Sequence, residues 1–211
     1  MNVVMVHGFA DTGLLFRRLI RRLGSNGHVC HAPTLHPRDA GLGVPDLSSK
    51  LAAFIEGSLA PGAPVALVGF SMGALVARHY LQSLGGASRA RAFFSIAGPH
   101  RGTPAAWLYP GIGTAQMRPG SPFLRILDSN TEALGTLPVF TYRTPFDLMV
   151  RPAASTRVGS APELRVWCPL HSLMPGFPAV MEHIAAELAK LGRPGDAAAQ
   201  RGLPLSETRI L

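Results

Sequence analysis

The stretch PVALVGFSMGALVARHYLQSL, residues 64–84, restricts the fold more than any other part of the chain. PVALVGF is almost continuously hydrophobic instead of alternating, as a strand covered on both faces should be. MGALVARHYLQSL continues directly as a helical pattern. Only Gly-Phe-Ser-Met-Gly at 69–73 separates the two. A turn that tight presses strand and helix backbones together, so Gly69 and Gly73 have no room for side chains. Ser71 is then held in a strained backbone conformation, with its hydroxyl projecting from the turn.

The rest of the chain repeats this alternation. The further apolar runs are VVMVHGF, HVCHAPTL, RAFFSIAG, PVFTYRTPFD and ELRVWCPLH. Between and after them lie helical patterns at about 14–23, 47–59, 72–84, 122–134 and 178–191. Such alternation predicts an α/β fold with a six-stranded, mostly parallel sheet and helices on both faces. There is no internal repeat, and 211 residues suit one domain, over 1–191. GRPGDAAAQRGLPLSETRIL, residues 192–211, reads as a loose tail.

Composition narrows the partners. No run approaches the roughly 18 apolar residues of a membrane span. MNVVMV lacks a basic leader and a small-residue cleavage site and reads as the first strand. The expected location is the cytoplasm if Met1 is the native start, and outside the cell if an export segment has been removed. The net charge of +8 is carried mostly by arginine. Arg17, Arg18, Arg21 and Arg22 lie opposite Leu15, Leu19 and Leu23 on a helical repeat. They read as a solvated face, with peripheral contact to an anionic lipid surface as the functional alternative. No aromatic-interleaved basic patch or zinc spacing accompanies the charge, so no nucleic-acid partner is expected. Neither a metal nor an organic cofactor is expected.

A serine on such a turn is a candidate nucleophile, and acyl chemistry then needs oxyanion donors, a base and an acid. The Met72 N–H opens the helix at its positive end. A second amide, that of Phe9, follows the strand-end His7-Gly8 turn. The acid should follow a strand's carboxyl end. Asp147 does, whereas Asp128 falls within a helical pattern, Asp39 and Asp46 in an early loop, and Asp11 ahead of the Ser71 strand. His171 follows the last apolar run and precedes the final helix, the expected place for the base. Its rival His183 lies within the helix and is expected to face solvent or neighbouring chain. His100, in GPHRGTP, is expected to line the pocket or hold its shape. His28, His31, His36 and His79 have no motif context.

HGF near the start, GFSMG, and SIAGPHRGTP at 95–104 together resemble the small bacterial-type serine lipases and esterases of the α/β-hydrolase superfamily. The resemblance covers roughly residues 3–190 and includes AQMRPGSPFLRIL and the acid-bearing FDLMVRP. It implies a minimal α/β-hydrolase fold that opens at the third strand of the larger form. HVCHAP would be one edge, VVMVHGF its neighbour and RVWCPLH the other edge. It also implies a Ser71, Asp147, His171 triad in chain order, acting on a small-molecule or lipid ester. Thioester hydrolysis or acyl transfer by the same triad is the alternative, with a silent binding relative beyond that. Leu14, His100, Trp107, Met117, Phe146, Leu173 and Met174 are the candidate pocket residues. In this strand order Cys30 and Cys168 stand five spacings apart, about 24 Å, too far for a disulfide. Both are expected to be free, buried thiols.

Overall fold

The computed structural model describes residues 1–191; the expected tail, 192–211, lies outside the described residues. Six strands form one sheet: β1 (Asn2–Val6), β2 (Val29–His31), β3 (Val65–Phe70), β4 (Ala90–Ile96), β5 (Val139–Arg143) and β6 (Glu163–Arg165). Their spatial order is β2-β1-β3-β4-β5-β6, and every neighbouring pair is parallel. The helices are α1 (Arg17–Gly24), α2 (Val44–Ser58), α3 (Met72–Ser83), α4 (Ile112–Gln116), α5 (Pro122–Ser129) and α6 (Pro178–Leu191).

Strand periodicity divides the core into two layers. Val4, Val6, Val65, Leu67 and Phe93 turn to the side of α2, α3 and α5. Val3, Met5, Ala66, Val68, Phe94 and Ile96 turn to the side of α1 and α6. The helices answer with apolar residues one turn apart: Leu47, Leu51 and Ile55 on α2, and Val180, Ile184 and Leu188 on α6. Cutting one of these back to Ala costs about 2–5 kcal/mol. α3 is buried almost all round because it lies between the sheet and both α2 and α5. Its one charge, Arg78, is fully buried and donates to Gln82, the Leu127 carbonyl, Asp128 and Thr131 at 2.7–3.0 Å. Asp128 is thereby committed to bracing α5 against α3.

The start of α5 shows how the chain sets its own boundaries. Ser121 Oγ accepts the Leu124 N–H at 3.2 Å, and Pro122 occupies the first turn. The helical pattern of 122–134 breaks at Asn130 and resumes as a short 3-10 turn, Thr131–Leu134. α4 is a helix that the sequence did not announce.

Three expectations need refinement. The arginine face of α1 is exposed at Arg17, Arg18 and Arg21, but Arg22 grips Glu182 of α6 with a bidentate pair at 2.6–2.7 Å. Both cysteines are free, yet only Cys168 is buried. Cys30 is half-buried because β2 is an edge strand with one flank unpaired. His183 divides between the two surroundings expected for it: its side chain stays partly exposed, and its Nδ1 lies 2.8 Å from the Tyr142 hydroxyl of β5.

Candidate active site

The carboxyl ends of β1, β3, β4, β5 and β6 converge on one end of the sheet, where open parallel sheets place their sites. The crevice falls where the chain order reverses, between β1, which leads on to β2, and β3, which leads on to β4.

β3 ends in a turn that only this sequence pattern tolerates. A Cβ on Gly69 would stand 2.4 Å from Ala74 Cα, and one on Gly73 only 2.1 Å from the Val6 carbonyl oxygen. Neither position has space for a methyl group. Between them Ser71 adopts φ 53° and ψ −123°, a conformation costing an L-residue about 1–3 kcal/mol. Its own amide is anchored to the Ile96 carbonyl at 2.8 Å. The strain lifts the side chain to the crevice instead of folding it onto the helix. Among the described residues, Ser71 Oγ makes no hydrogen bond.

Two amides beside Ser71 are unclaimed. Met72 is the first residue of α3, so its N–H has no intrahelical acceptor. The Phe9 N–H likewise donates to no acceptor among the described residues. The turn that carries Phe9 is fixed by His7, which is almost wholly buried. His7 Nδ1–H donates to the Gly8 carbonyl at 2.8 Å, and Nε2 accepts the Leu35 N–H at 2.9 Å. Both ring nitrogens are used in the neutral form, and burial lowers the pKa of His7 accordingly.

Asp147 and His171 meet from different strands. Asp147 closes a turn after β5 and accepts the Met149 and Val150 N–H groups on Oδ1 at 2.8 and 2.9 Å. Its other oxygen, Oδ2, is 2.8 Å from His171 Nδ1. His171 opens a 3-10 helix, His171–Gly176, after β6. Thr144 ties the two loops together by donating to the Cys168 carbonyl at 2.5 Å. The His171 ring also lies against Phe70, the residue before Ser71, with centroids 4.8 Å apart.

The β4 loop supports this arrangement from below. His100 is fully buried; its Nε2 is 2.7 Å from Ser95 Oγ, and burial holds its pKa well below the usual value. It holds the loop's shape and does not line the pocket, which corrects one of the two roles expected for it. Thr103, which sequence reasoning missed, donates to the Met149 carbonyl at 2.5 Å and so braces the Asp147 turn. Its position in the HRGTP loop was the only available signal.

A small cavity of about 50 Å³ opens beside Ser71, and Met117 is the only expected pocket residue on its wall. Leu14, Trp107, Phe146 and Leu173 are exposed and stand outside it. Trp107 lies under the Arg118 guanidinium and Phe146 against Trp167. Met174 is fully buried in the core layer shared with α6, because the 3-10 turn after His171 rotates it inward. Phe9, Tyr109, Met149 and Val150, not expected as a group, complete much of the wall. Among the described residues, no three His, Cys, Asp or Glu side chains gather as a metal site would require.

A profile of the alpha/beta hydrolase family matches residues 3–204, and the chain belongs to that family. Among curated proteins, a probable oxidoreductase, EphD, of Mycobacterium tuberculosis is 26% identical over 163 residues. The match takes in 74% of this chain, which spans only 27% of that protein's length. The fold is similar to Bacillus licheniformis lipase BlEst2 in its mature form, with TM-score 0.66, 17% identity and coverage of 89% and 91%. It is also similar to Aspergillus fumigatus lipase B, with TM-score 0.71, 20% identity and coverage of 89% and 52%. A pyrethroid hydrolase of Sphingobium faniae gives TM-score 0.59 at 16% identity, covering 95% of this chain and 99% of its own.

Proposed function

We propose that the chain is a carboxylic ester hydrolase of the lipase and esterase type, working through an acyl-enzyme on Ser71. The observation that carries this reading is the strained Ser71 at the start of α3, on the same sheet end as the Asp147–His171 pair. The lipase titles among the structural neighbours support it.

In the proposed reaction Asp147 receives the Nδ1–H of His171, which leaves the Nε2 lone pair to act as base. As Ser71 Oγ bonds to the ester carbonyl carbon, Nε2 takes its proton, and the carboxylate stabilises the resulting imidazolium. The carbonyl oxygen becomes an oxyanion held by the Phe9 and Met72 amides, each worth on the order of 3 kcal/mol. The imidazolium then protonates the departing alkoxide as the C–O bond breaks. Water, deprotonated by His171, repeats the attack and releases the acid. The Ser71–His171 hydrogen bond forms on substrate binding, as such contacts commonly tighten in the bound complex.

A fluorophosphonate probe, with a panel of p-nitrophenyl esters and an acyl thioester alongside, tests the proposal. Label on Ser71, and ester turnover lost in a folded Ser71→Ala protein, are the expected results. Label mapped to a different serine would overturn the assignment.

A further inference from the structure

We propose that the end of the molecule around Ser71 docks on an anionic lipid bilayer, seated by two exposed tryptophan–arginine pairs, Trp107 with Arg118 and Trp167 with Arg165. Docking is a matter of binding alone and is independent of the chemistry proposed for Ser71.

The chain has two tryptophans, and both stand in water, Trp107 64% and Trp167 62% exposed. A guanidinium lies over each ring, that of Arg118 4.2 Å and that of Arg165 4.4 Å from the centroid. Each stack holds a cation beside a ring with an apolar body and a polar N–H. That combination suits the layer where acyl chains meet phosphate headgroups.

Both pairs stand on loops around the candidate nucleophile. Ala105 and Ala106, next to Trp107 in the 3-10 turn Pro104–Trp107, line the cavity beside Ser71. Met149 and Val150 line it from the loop after β5, and Phe146 of that loop packs against Trp167, ring centroids 5.8 Å apart. Leu108 and Leu148, on the same two loops, are 77% and 75% exposed.

The charge of this end selects the partner. The connections after β4, β5 and β6, residues 97–121, 144–162 and 166–177, carry Arg101, Arg118, Arg151 and Arg157, and Arg165 ends β6. Their one carboxylate is Asp147, buried against His171. Arg101, Arg118, Arg151 and Arg165 have no carboxylate partner among the described residues. Asp11 and Asp39, on the earlier loops, each accept a nearby backbone N–H. Cations mixed with exposed apolar side chains match an anionic bilayer, whose headgroups take the charge and whose acyl boundary takes the rings and leucines. A nucleic acid would pair with the arginines but leave the leucines in water. An acidic protein would have to match apolar side chains spread over separate loops, whereas a fluid bilayer needs no shape complementarity.

The test is co-sedimentation of the intact chain with sucrose-loaded vesicles, of phosphatidylcholine alone or in about equal parts with phosphatidylglycerol, together with tryptophan emission. Partitioning should be at least about tenfold stronger on the anionic vesicles and should fall by a similar factor in about 0.5 M salt. Emission should shift to the blue on binding, and it should do so in both single-tryptophan proteins, Trp107→Phe and Trp167→Phe. Arg118→Gln combined with Arg165→Gln should weaken partitioning about tenfold or more, since each cation near such a surface contributes about fivefold. Arg91→Gln combined with Lys190→Gln removes two charges from the opposite pole, at the start of β4 and the end of α6, and should change it less than about twofold. Thermal unfolding checks that each variant is folded. Equal partitioning on both vesicle types, equal loss in the two double variants, or binding without a blue shift in either single-tryptophan protein would overturn the proposal. So would absence of vesicle binding with self-association through the same tryptophans, which would make a second copy the occupant. None of these outcomes bears on labelling or turnover at Ser71.

Discussion

The His171 imidazole lies against the Phe70 ring, centroids 4.8 Å apart and planes inclined at 40°. Phe70 is the last residue of β3 and precedes Ser71, so the strand that carries the candidate nucleophile also supports the candidate base. Asp147 fixes one edge of the imidazole and Phe70 one face. Phe70→Leu keeps most of the apolar bulk but removes the flat surface. We expect kcat on p-nitrophenyl butyrate to fall about tenfold or more with KM little changed, because a base misplaced by a fraction of an ångström loses much of its effect. An unchanged kcat in the folded variant would show that Asp147 alone orients the ring.

The two histidines near the chain's end should differ sharply. His171 pairs with Asp147 at 2.8 Å, while His183 is occupied by Tyr142 on the α6 side of the sheet. His171→Ala should lose at least about a thousandfold in kcat. His183→Ala should act mainly on stability, since it leaves the buried Tyr142 hydroxyl without its partner. Steady-state kinetics and thermal unfolding of both proteins check this. An exchange of the two kinetic outcomes would reassign the base.

Much of this was legible in the sequence because it rests on short-range rules. The strand–turn–helix at 64–84 carries its own steric demand for glycine at 69 and 73, and Asp147 and His171 follow apolar runs directly. The strand order came from resemblance, since periodicity alone does not say which strands are neighbours. The pocket was least legible. Side chains on the 103–117 and 144–150 loops point where tertiary hydrogen bonds send them, so Trp107 and Phe146 turn outward and Met117 inward. Met174 was lost for a local reason: a 3-10 turn rotates its side chain by a different angle per residue than a plain loop would. α4 is only five residues long and begins beside Gly111, so it offered no periodicity to detect. The Asp147 turn is an exception: an aspartate accepting the amides two and three residues on is ordinary turn chemistry, and here those residues are Met149 and Val150.

Acid should destabilise the protein through its buried and half-buried histidines. Burial lowers the pKa of His7, His79, His100 and His183, with His100 affected most. In the unfolded chain each titrates near its ordinary value of about 6.5. Between that value and the lower folded pKa the unfolded state binds protons that the folded state does not, so stability rises with pH across the window. Their contribution is complete above about pH 6.5 and is lost as pH falls toward the folded values. The slope approaches about 1.4 kcal/mol per pH unit for each histidine kept neutral. Urea unfolding at pH 7.5, 6.5 and 5.5 should therefore give a falling midpoint. His100→Gln should flatten the fall, and a midpoint independent of pH would contradict the account.

The last expectation concerns interfaces. A true lid must be able to leave the site, exposing apolar surface that water otherwise opposes. The stretch after Thr103 contains only a 3-10 turn, Pro104–Trp107, and the five-residue α4 before α5 begins. It is tied down by the Thr103–Met117 and Gly113–Ala40 backbone bonds, so opening would break several hydrogen bonds at once. Trp107, Leu108 and Ile112 are nonetheless exposed on its outer side and present an apolar tip, none of them lining the cavity beside Ser71. Contact with a lipid surface would then help the protein dwell at an interface but would not uncover the site. Hydrolysis of tributyrin should accordingly rise smoothly as its concentration passes the solubility limit. Replacing Trp107 and Leu108 by Ser should weaken adsorption to the emulsion and leave the rate on dissolved tributyrin within about twofold. A several-fold rate jump at the solubility limit, abolished by deleting part of 104–117, would establish that this segment moves as a lid.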